Sequence, residues 1–267
     1  MVRTFGIVNV TRDSFSDGGR WLLADAAIAH AERLRADGAD VLDLGAESTH
    51  PDAEDVPAEV EVARLVPVVD ALRARGATIS VDTRKPEVMQ AMVGRGVQWL
   101  NDVHGFRSAA AMQVVAAAPP TVRFVAMFSR SEAGRAVRDG DDAHDLLGEI
   151  AAFARERIAA FAAAGVARER LVLDPGMGFF VGPTAASSLR VLAHAGELNR
   201  AFAPLLVSVS RKAFLGAISG AGVGDRGAAT LAAELHLARA GVAWIRTHDV
   251  KALRDACAVD DAIRGTR

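Results

Sequence analysis

Six places in this chain end an apolar run with residues able to hold or stabilise charge. Asn9 closes the first run, Asp82 follows Ile79-Ser80-Val81, Asn101 and Asp102 follow Trp99-Leu100, and Asp174 follows Leu171-Val172-Leu173. Ser210-Arg211-Lys212 and Arg246-Thr247-His248 close two later runs. Taken singly, each is a helix cap or turn residue. Taken together, they offer acceptors and amides from Asp82, Asn101 and Asp174 beside positive charge from Lys212, Arg246 and His248, which is one polar pocket. Arg246 and His248 are two apart on an extended run, so they share a face and suit an anion such as phosphate or pyrophosphate. The competing role for Arg246 is an ion pair with a nearby acid such as Asp249. Of the adjacent pair, Asn101 is expected to face the pocket and Asp102 to make the turn. Asp43 lies inside its run and reads as a structural hydrogen-bond partner.

Positioning such a set requires a repeating frame, and one is present. Short β-prone runs occur at 3–8, 40–44, 78–81, 98–101, 123–127, 171–173, 205–209 and 242–246, each expected to lead into a helix. In the stretch 145–164, Leu146, Leu147, Ile150, Ala154, Ile158 and Phe161 recur at helical spacing. The strand runs are continuously apolar, as buried parallel strands are. Eight units of about 33 residues match the size of an α/β (β/α)8 TIM barrel, whose chemistry sits at the C-terminal ends of its strands. The whole chain, 1–267, is expected to be one such domain. An open doubly wound sheet is the alternative, but the loop after the first strand lacks the tight glycine fingerprint. The glycine-rich stretch 220–227 follows a helix and reads as a connection between helices.

The 267 residues are 51% hydrophobic and 24% charged, with 31 basic and 33 acidic side chains, giving a net charge of −2. No basic stripe is available for nucleic acid. A single cysteine, Cys257, allows no internal disulfide or cysteine zinc site and fits a reducing, cytoplasmic compartment. No run is long enough to span a bilayer, so no membrane partner is expected. There is no His-Glu-x-x-His motif, no Gly-x-Ser-x-Gly elbow and no P-loop. Among the histidines, only His248 joins the constellation. His30, His144, His194 and His236 fall on helical stretches where exposure is the default.

The ordered motifs Gly6-Ile-Val-Asn9-Val-Thr-Arg-Asp13-Ser-Phe-Ser-Asp17, Gly45-Ala-Glu-Ser-Thr49, Ser80-Val-Asp82-Thr, Leu100-Asn101-Asp102, Asp174-Pro-Gly-Met-Gly-Phe179, Ser210-Arg211-Lys212 and Arg246-Thr-His248 resemble the dihydropteroate synthase family. The resemblance spans nearly the whole chain. It implies a transferase that joins 6-hydroxymethyl-7,8-dihydropterin diphosphate to 4-aminobenzoate, releasing pyrophosphate with Mg²⁺ present. By motif match, Asp82, Asn101, Met127, Asp174 and Lys212 would hold the pterin, with Asp82, Asp174 and Lys212 catalytic. Asn9, Arg246 and His248 would hold the diphosphate, and Asn9 its metal. Thr49, Phe179, Phe180, Ser210 and Lys212 would border the aminobenzoate, while loops 9–19 and 48–56 close over the reaction. A homodimer is usual in the family.

Departures from the family's commonest pattern are Arg12 for proline, His50 for arginine, Val125-Ala-Met127-Phe128-Ser for a Met-His pair, and Phe180-Val181-Gly182 after Phe179. Several are similar to the sulfonamide-resistant branch, in which Phe180 could act as an added wall against the drug or pack as ordinary core. Two other readings remain open at this point: a non-catalytic pterin-binding paralogue, and a pterin-binding methyltransferase domain serving a corrinoid protein.

Overall fold

A computed structural model of the chain describes residues 2–11, 20–48, 55–130 and 145–266. Its elements run β1 (Arg3–Asn9), α1 (Arg20–Ala36), β2 (Val41–Gly45), α2 (Ala58–Ala74), β3 (Ile79–Asp82), α3 (Pro86–Gly94), β4 (Trp99–Asp102), α4 (Ala109–Ala117), β5 (Arg123–Met127), α5 (Leu146–Ala163) and β6 (Leu171–Asp174). There follow α6 (Ala185–Ala193), α7 (Ala195–Phe202), β7 (Leu206–Val207), α8 (Ala213–Ser219), α9 (Gly227–Arg239), β8 (Trp244–Thr247) and α10 (Val250–Gly265). The strands hydrogen-bond in the order β6-β5-β4-β3-β2-β1-β8-β7, all parallel, and a bridge from Leu173 to Leu205 joins the two ends. The barrel expected from the eight apolar runs is therefore present.

Two expectations need adjusting. Strand and helix do not alternate one for one, because β6 is followed by both α6 and α7, and β7 by both α8 and α9. The glycine-rich 220–227 stretch does connect two helices, α8 and α9. The seventh strand is also only Leu206–Val207, shorter than the apolar run around it.

The strands sort their side chains by parity. Leu42, Leu44, Ile79, Val81, Leu100, Phe124, Ala126 and Leu173 pack outward under the helices. Phe5, Val41, Trp99, Val125, Val172, Leu206 and Trp244 form a separate cluster inside the barrel. Both faces are dry, which explains the unbroken apolar runs. Phe5, Trp99 and Trp244 meet edge to face, each pair with centroids 5.1 Å apart, and Arg3 and Arg123 lie over the tryptophans. Outside, α5 buries Leu146, Ile150, Phe153, Ala154, Arg157 and Phe161 on one face, and Asp145 caps its start by accepting from the Gly148 N–H.

Candidate functional site

Two residues beyond the inward-facing apolar layer, the same strands present polar groups. Val41 is followed by Asp43, Trp99 by Asn101, Val172 by Asp174 and Trp244 by Arg246, all at the C-terminal end of the barrel. Arg246 is the hub. Its Nη2 donates to Asp82 Oδ2 at 2.8 Å and its Nε to Asp43 Oδ2, which also accepts from Asn101 Nδ2 at 3.3 Å. Asp43 is fully buried, and its second oxygen, Oδ1, has no hydrogen-bond partner among the described residues.

Asp43 is thus a correction. It is a hydrogen-bond partner, as the sequence suggested, but it stands in the site rather than in the surrounding frame. The signal was available: a lone acid in an apolar strand, in register with Ile7 and Ser80 and two residues beyond inward-facing Val41. The ion pair expected for Arg246 also differs. Its acids are Asp43 and Asp82, while Asp249 caps α10 by accepting from the Ala252 N–H at 3.0 Å. Asn101 and Asp102 divide as expected, Asp102 accepting from the His104 and Phe106 N–H groups.

Burial sets the protonation of the group. It pushes the Asp82 carboxyl up to about 7, against the pull of Arg246 and with the Asp43 and Asp102 charges adding to it. Asp174 is raised to about 6 by burial, opposed by the Gly176 N–H and by Lys212. Burial in turn lowers Lys212 to about 8, opposed by Asp174 and Asp82. Asp174 Oδ1 accepts from the Gly176 N–H at 2.8 Å, in a turn that needs glycine. There φ is 73°, and an added Cβ would sit 2.3 Å from the Phe128 carbonyl oxygen. Arg211 holds φ 58°, a left-handed conformation rare for arginine, between Ser210 and Lys212. Thr230 Oγ1 accepts from its N–H and Arg226 donates to its carbonyl, which fixes the turn.

His248 stands beside this centre, with Ser210 Oγ 2.9 Å from its Nδ1 and accepting from its backbone N–H. Burial, followed by the Arg211 and Arg246 charges, lowers its imidazole to about 3, so the ring is neutral. His30 is not simply exposed as its helical setting suggested. It is half-buried on α1, with Nε2 3.2 Å from the Ile7 carbonyl oxygen, and burial lowers its imidazole below the ordinary value.

The remaining expected residues fall around this centre. Asn9 ends β1 with its side chain exposed. Met127 is buried against Val103 and Phe180, and Lys212 Nζ lies 5.4 Å from the centroid of the Phe180 ring. Phe180 is only 5% exposed and packs in this rim cluster, whereas Phe179 is half-buried and lines a cleft of about 270 Å³ with Gly178, Pro183, Thr184 and Phe214. Thr49, Arg12, His50 and His144, with most of the loops containing the first three, lie outside the described residues.

Sequence reasoning missed a second charged cluster at the ends of β2 and β3. Lys85 Nζ bridges Glu47 and the fully buried Glu61, donating to Glu61 Oε2 at 2.9 Å, and Arg84 pairs with Glu47 and Asp55. These pairings join residues 24 to 38 positions apart, which no local pattern reveals. Among the described residues, no group of three or more His, Cys, Asp or Glu side chains could hold a metal ion.

Comparison with known proteins agrees with this geometry. A family model described as pterin binding enzyme matches residues 5–248. The chain is 51% identical over 263 residues to Dihydropteroate synthase type-2 of Escherichia coli, covering 98% of this chain and 96% of that one. It is 44% identical to Dihydropteroate synthase type-3 of Escherichia coli, covering 98% and 100%. Among solved structures, Xanthomonas albilineans dihydropteroate synthase with 4-aminobenzoic acid superposes with a TM-score of 0.89 at 40% identity, covering 98% of this chain and 93% of that one. The same enzyme in complex with 7,8-dihydropteroate gives 0.85 at 38%, covering 98% and 94%.

Proposed function

The chain belongs to the pterin-binding enzyme family as a member of the dihydropteroate synthases, and from that premise we propose how its own residues carry the reaction. The activity is condensation of 6-hydroxymethyl-7,8-dihydropterin diphosphate with 4-aminobenzoate to 7,8-dihydropteroate and pyrophosphate. The observation that carries the assignment of roles is the convergence of Asp43, Asp82, Asn101, Asp174, Lys212 and Arg246 on one end of one barrel.

A pterin presents adjacent N–H donors on one edge, which suit the Asp174 carboxylate, and Asn101 adds an amide. Lys212, lowered toward neutrality, donates to the ring's carbonyl side. As the bond from the methylene carbon to the diphosphate oxygen breaks, pyrophosphate leaves with the electron pair and the carbon becomes cationic. Arg246 and the neutral His248 stabilise the leaving charge, and Asp82 stabilises the cation. The arylamine nitrogen then bonds the carbon, and its N–H proton passes to the departing pyrophosphate or to water. An arylamine is nucleophilic without prior deprotonation, so positioning suffices, and a Ser-His or Cys-His pair is not required. Mg²⁺ would add charge neutralisation on the diphosphate when bound. The amide oxygen of Asn9 is a hard donor of the type this ion takes alongside phosphate oxygens and water, and its exposed position at the end of β1 fits that role.

The test is pyrophosphate release that depends on 4-aminobenzoate. Lys212→Ala and Asp174→Asn should each lose most of it while the barrel stays folded by circular dichroism. Near-normal turnover in either variant would remove that residue from the mechanism.

Sulfonamide insensitivity is a further part of the proposal. Phe180 packs against Met127 with Lys212 Nζ 5.4 Å from its ring centroid, and Phe179 packs on the same cluster, so a bulky ring stands beside residues proposed to hold the pterin and the aminobenzoate, where it can narrow the space for a sulfonyl group. The enzyme should turn over 4-aminobenzoate in the presence of sulfamethoxazole, and Phe180→Gly should restore inhibition. A homodimer fits the exposed Val259 and Ile263 beside the apolar groove between α9 and α10, and sedimentation gives the mass. No helix among the described residues is long and apolar enough to cross a membrane, and a cytoplasmic enzyme is the reading its substrates favour.

A further inference from the structure

The turn that carries Phe179 and Phe180 is tied to the segment leaving β5 at both of its ends, and the two ends are tied differently. At the start, the Phe128 N–H donates to the Asp174 carbonyl at 2.8 Å, and the chain passes so close at Gly176 that an added Cβ would strike the Phe128 carbonyl. In the middle, the Gly178 N–H donates to the hydroxyl of the fully buried Ser188 at 2.9 Å. At the end, Arg130 holds two consecutive carbonyls: its backbone N–H donates to Phe180 O at 3.0 Å and its Nη1 to Val181 O at 2.7 Å. The other two guanidinium nitrogens, Nε and Nη2, donate to Glu149 Oε2 at 2.8 Å and Oε1 at 3.3 Å, a two-pronged grip that fixes the plane of the group. Glu149 stands in the first turn of α5, where the helix dipole favours a carboxylate. Nothing in the reaction described above uses Arg130 or Glu149.

The difference between the two ends has a consequence for the site. Backbone and a glycine hold the Asp174 end, so no side-chain change at Arg130 releases it. A guanidinium holds the Phe180 end, and Val181 is fully buried, so without Arg130 the Val181 carbonyl loses that donor where water does not replace it. The turn then has to shift at Phe180 and Val181 to find another donor. The Phe180 ring packs against Val103 and Met127 with Lys212 Nζ 5.4 Å from its centroid, so such a shift moves the ring beside Lys212 and leaves the pterin carboxylate in place. The segment leaving β5 stays where it is, because the Ser129 carbonyl accepts from Arg107 Nη1 at 3.0 Å.

We infer that Arg130, braced by Glu149, is a positioning residue for the aminobenzoate side of the site: by holding the Phe180 and Val181 carbonyls it sets where the Phe179–Phe180 turn stands. The inference rests on the assignment of Phe179 and Phe180 to the aminobenzoate. The contacts that carry it join residues 19 and 51 positions apart, so the sequence pattern does not reveal them.

The experiment follows pyrophosphate release by the full-length enzyme and reads KM for each substrate together with the inhibition constant of sulfamethoxazole. Arg130→Met, which keeps the stem and removes the donors, should raise KM for 4-aminobenzoate about five- to tenfold while kcat and KM for the pterin diphosphate stay within about twofold. The ratio of the sulfamethoxazole inhibition constant to KM for 4-aminobenzoate should fall about tenfold, because the turn no longer holds the ring against the larger sulfonyl group. Arg130→Lys, a point charge without the fork, should recover part of both effects. Glu149 is 42% exposed, so Glu149→Gln should move both readings the same way by only about two- to threefold. In a Phe180→Gly background, Arg130→Met should lower the ratio no further. If Phe180→Gly lowers the ratio and Arg130→Met does not, if Arg130→Met raises both KM values alike, or if its effect persists in full in the Phe180→Gly background, the inference is overturned and the Phe180 assignment stands. If Phe180→Gly changes neither the ratio nor KM for 4-aminobenzoate, that assignment falls and takes the inference with it. Should Arg130→Met fail to fold, Arg130→Lys and Glu149→Gln decide the matter, and an unchanged KM for 4-aminobenzoate in both overturns the inference.

Discussion

The two layers inside the barrel are built from the same strands, two residues apart, yet they obey opposite rules. The lower layer, around Phe5, Trp99 and Trp244, is apolar, and its rings fill the interior edge to face. The upper layer, around Asp43, Asp82, Asp174, Lys212 and Arg246, places charges at the mouth, with Asp43 and Asp174 buried and the other three partly so, and holds them with one another. The first layer is the reason the second can work. A sealed floor keeps water from reaching the charges from below, so burial can hold Asp82 near 7 and Lys212 near 8, poised to respond to a ligand.

Removing the floor should have the largest effect on stability. Trp99→Ala should cost about 4 kcal/mol in urea unfolding, the size expected for truncating a buried aromatic side chain, while the folded fraction keeps its affinity for the pterin substrate. A comparable loss of affinity per folded molecule would mean that the layers are not separable. Arg246→Ala tests the upper layer and should cost about 3 kcal/mol, because it strands the Asp43 and Asp82 charges. Part of that loss should return in Arg246→Ala/Asp43→Asn, whereas affinity for the pterin diphosphate should not.

Asp174→Asn should move stability the other way. The folded-state carboxyl titrates near 6 against an ordinary value of 3.8, so between about pH 4 and 6 the folded protein holds the extra proton and wild-type stability falls as pH rises. The asparagine variant escapes that fall. It should be more stable than wild type by about 3 kcal/mol above pH 7 and no more stable below pH 4, and thermal unfolding across that window tests both limits. The smallest effect belongs to the outer seal of the floor. Arg123 lies 4.4 Å over the Trp99 ring, and Arg123→Ala should cost about 1 kcal/mol with unchanged kinetics.

Much of this was legible in the residues. Eight apolar runs separated by helical stretches specify the barrel, because strands covered on both faces carry no polar alternation to confuse the pattern. The polar residues that end those runs, Asp82, Asn101, Asp174, Lys212 and Arg246, were legible as a set for the same reason: a charge that breaks an apolar strand at its C-terminal end stands at the mouth of the barrel. The pairing of helices after β6 and β7 was harder to see, since two short helices and one long one share the same 3.6-residue period.

What the sequence alone determined, then, is which residues lie on the strands and which strand ends are polar, since periodicity is a local property. The tertiary structure alone decided who partners whom. Arg246 reaches Asp43 across 203 positions of sequence, Lys85 joins Glu47 and Glu61, and Ser210 comes beside His248 from another strand end. Each of these depends on barrel closure, register and the low dielectric of the interior, which turn a list of charged residues into specific pairs with shifted protonation.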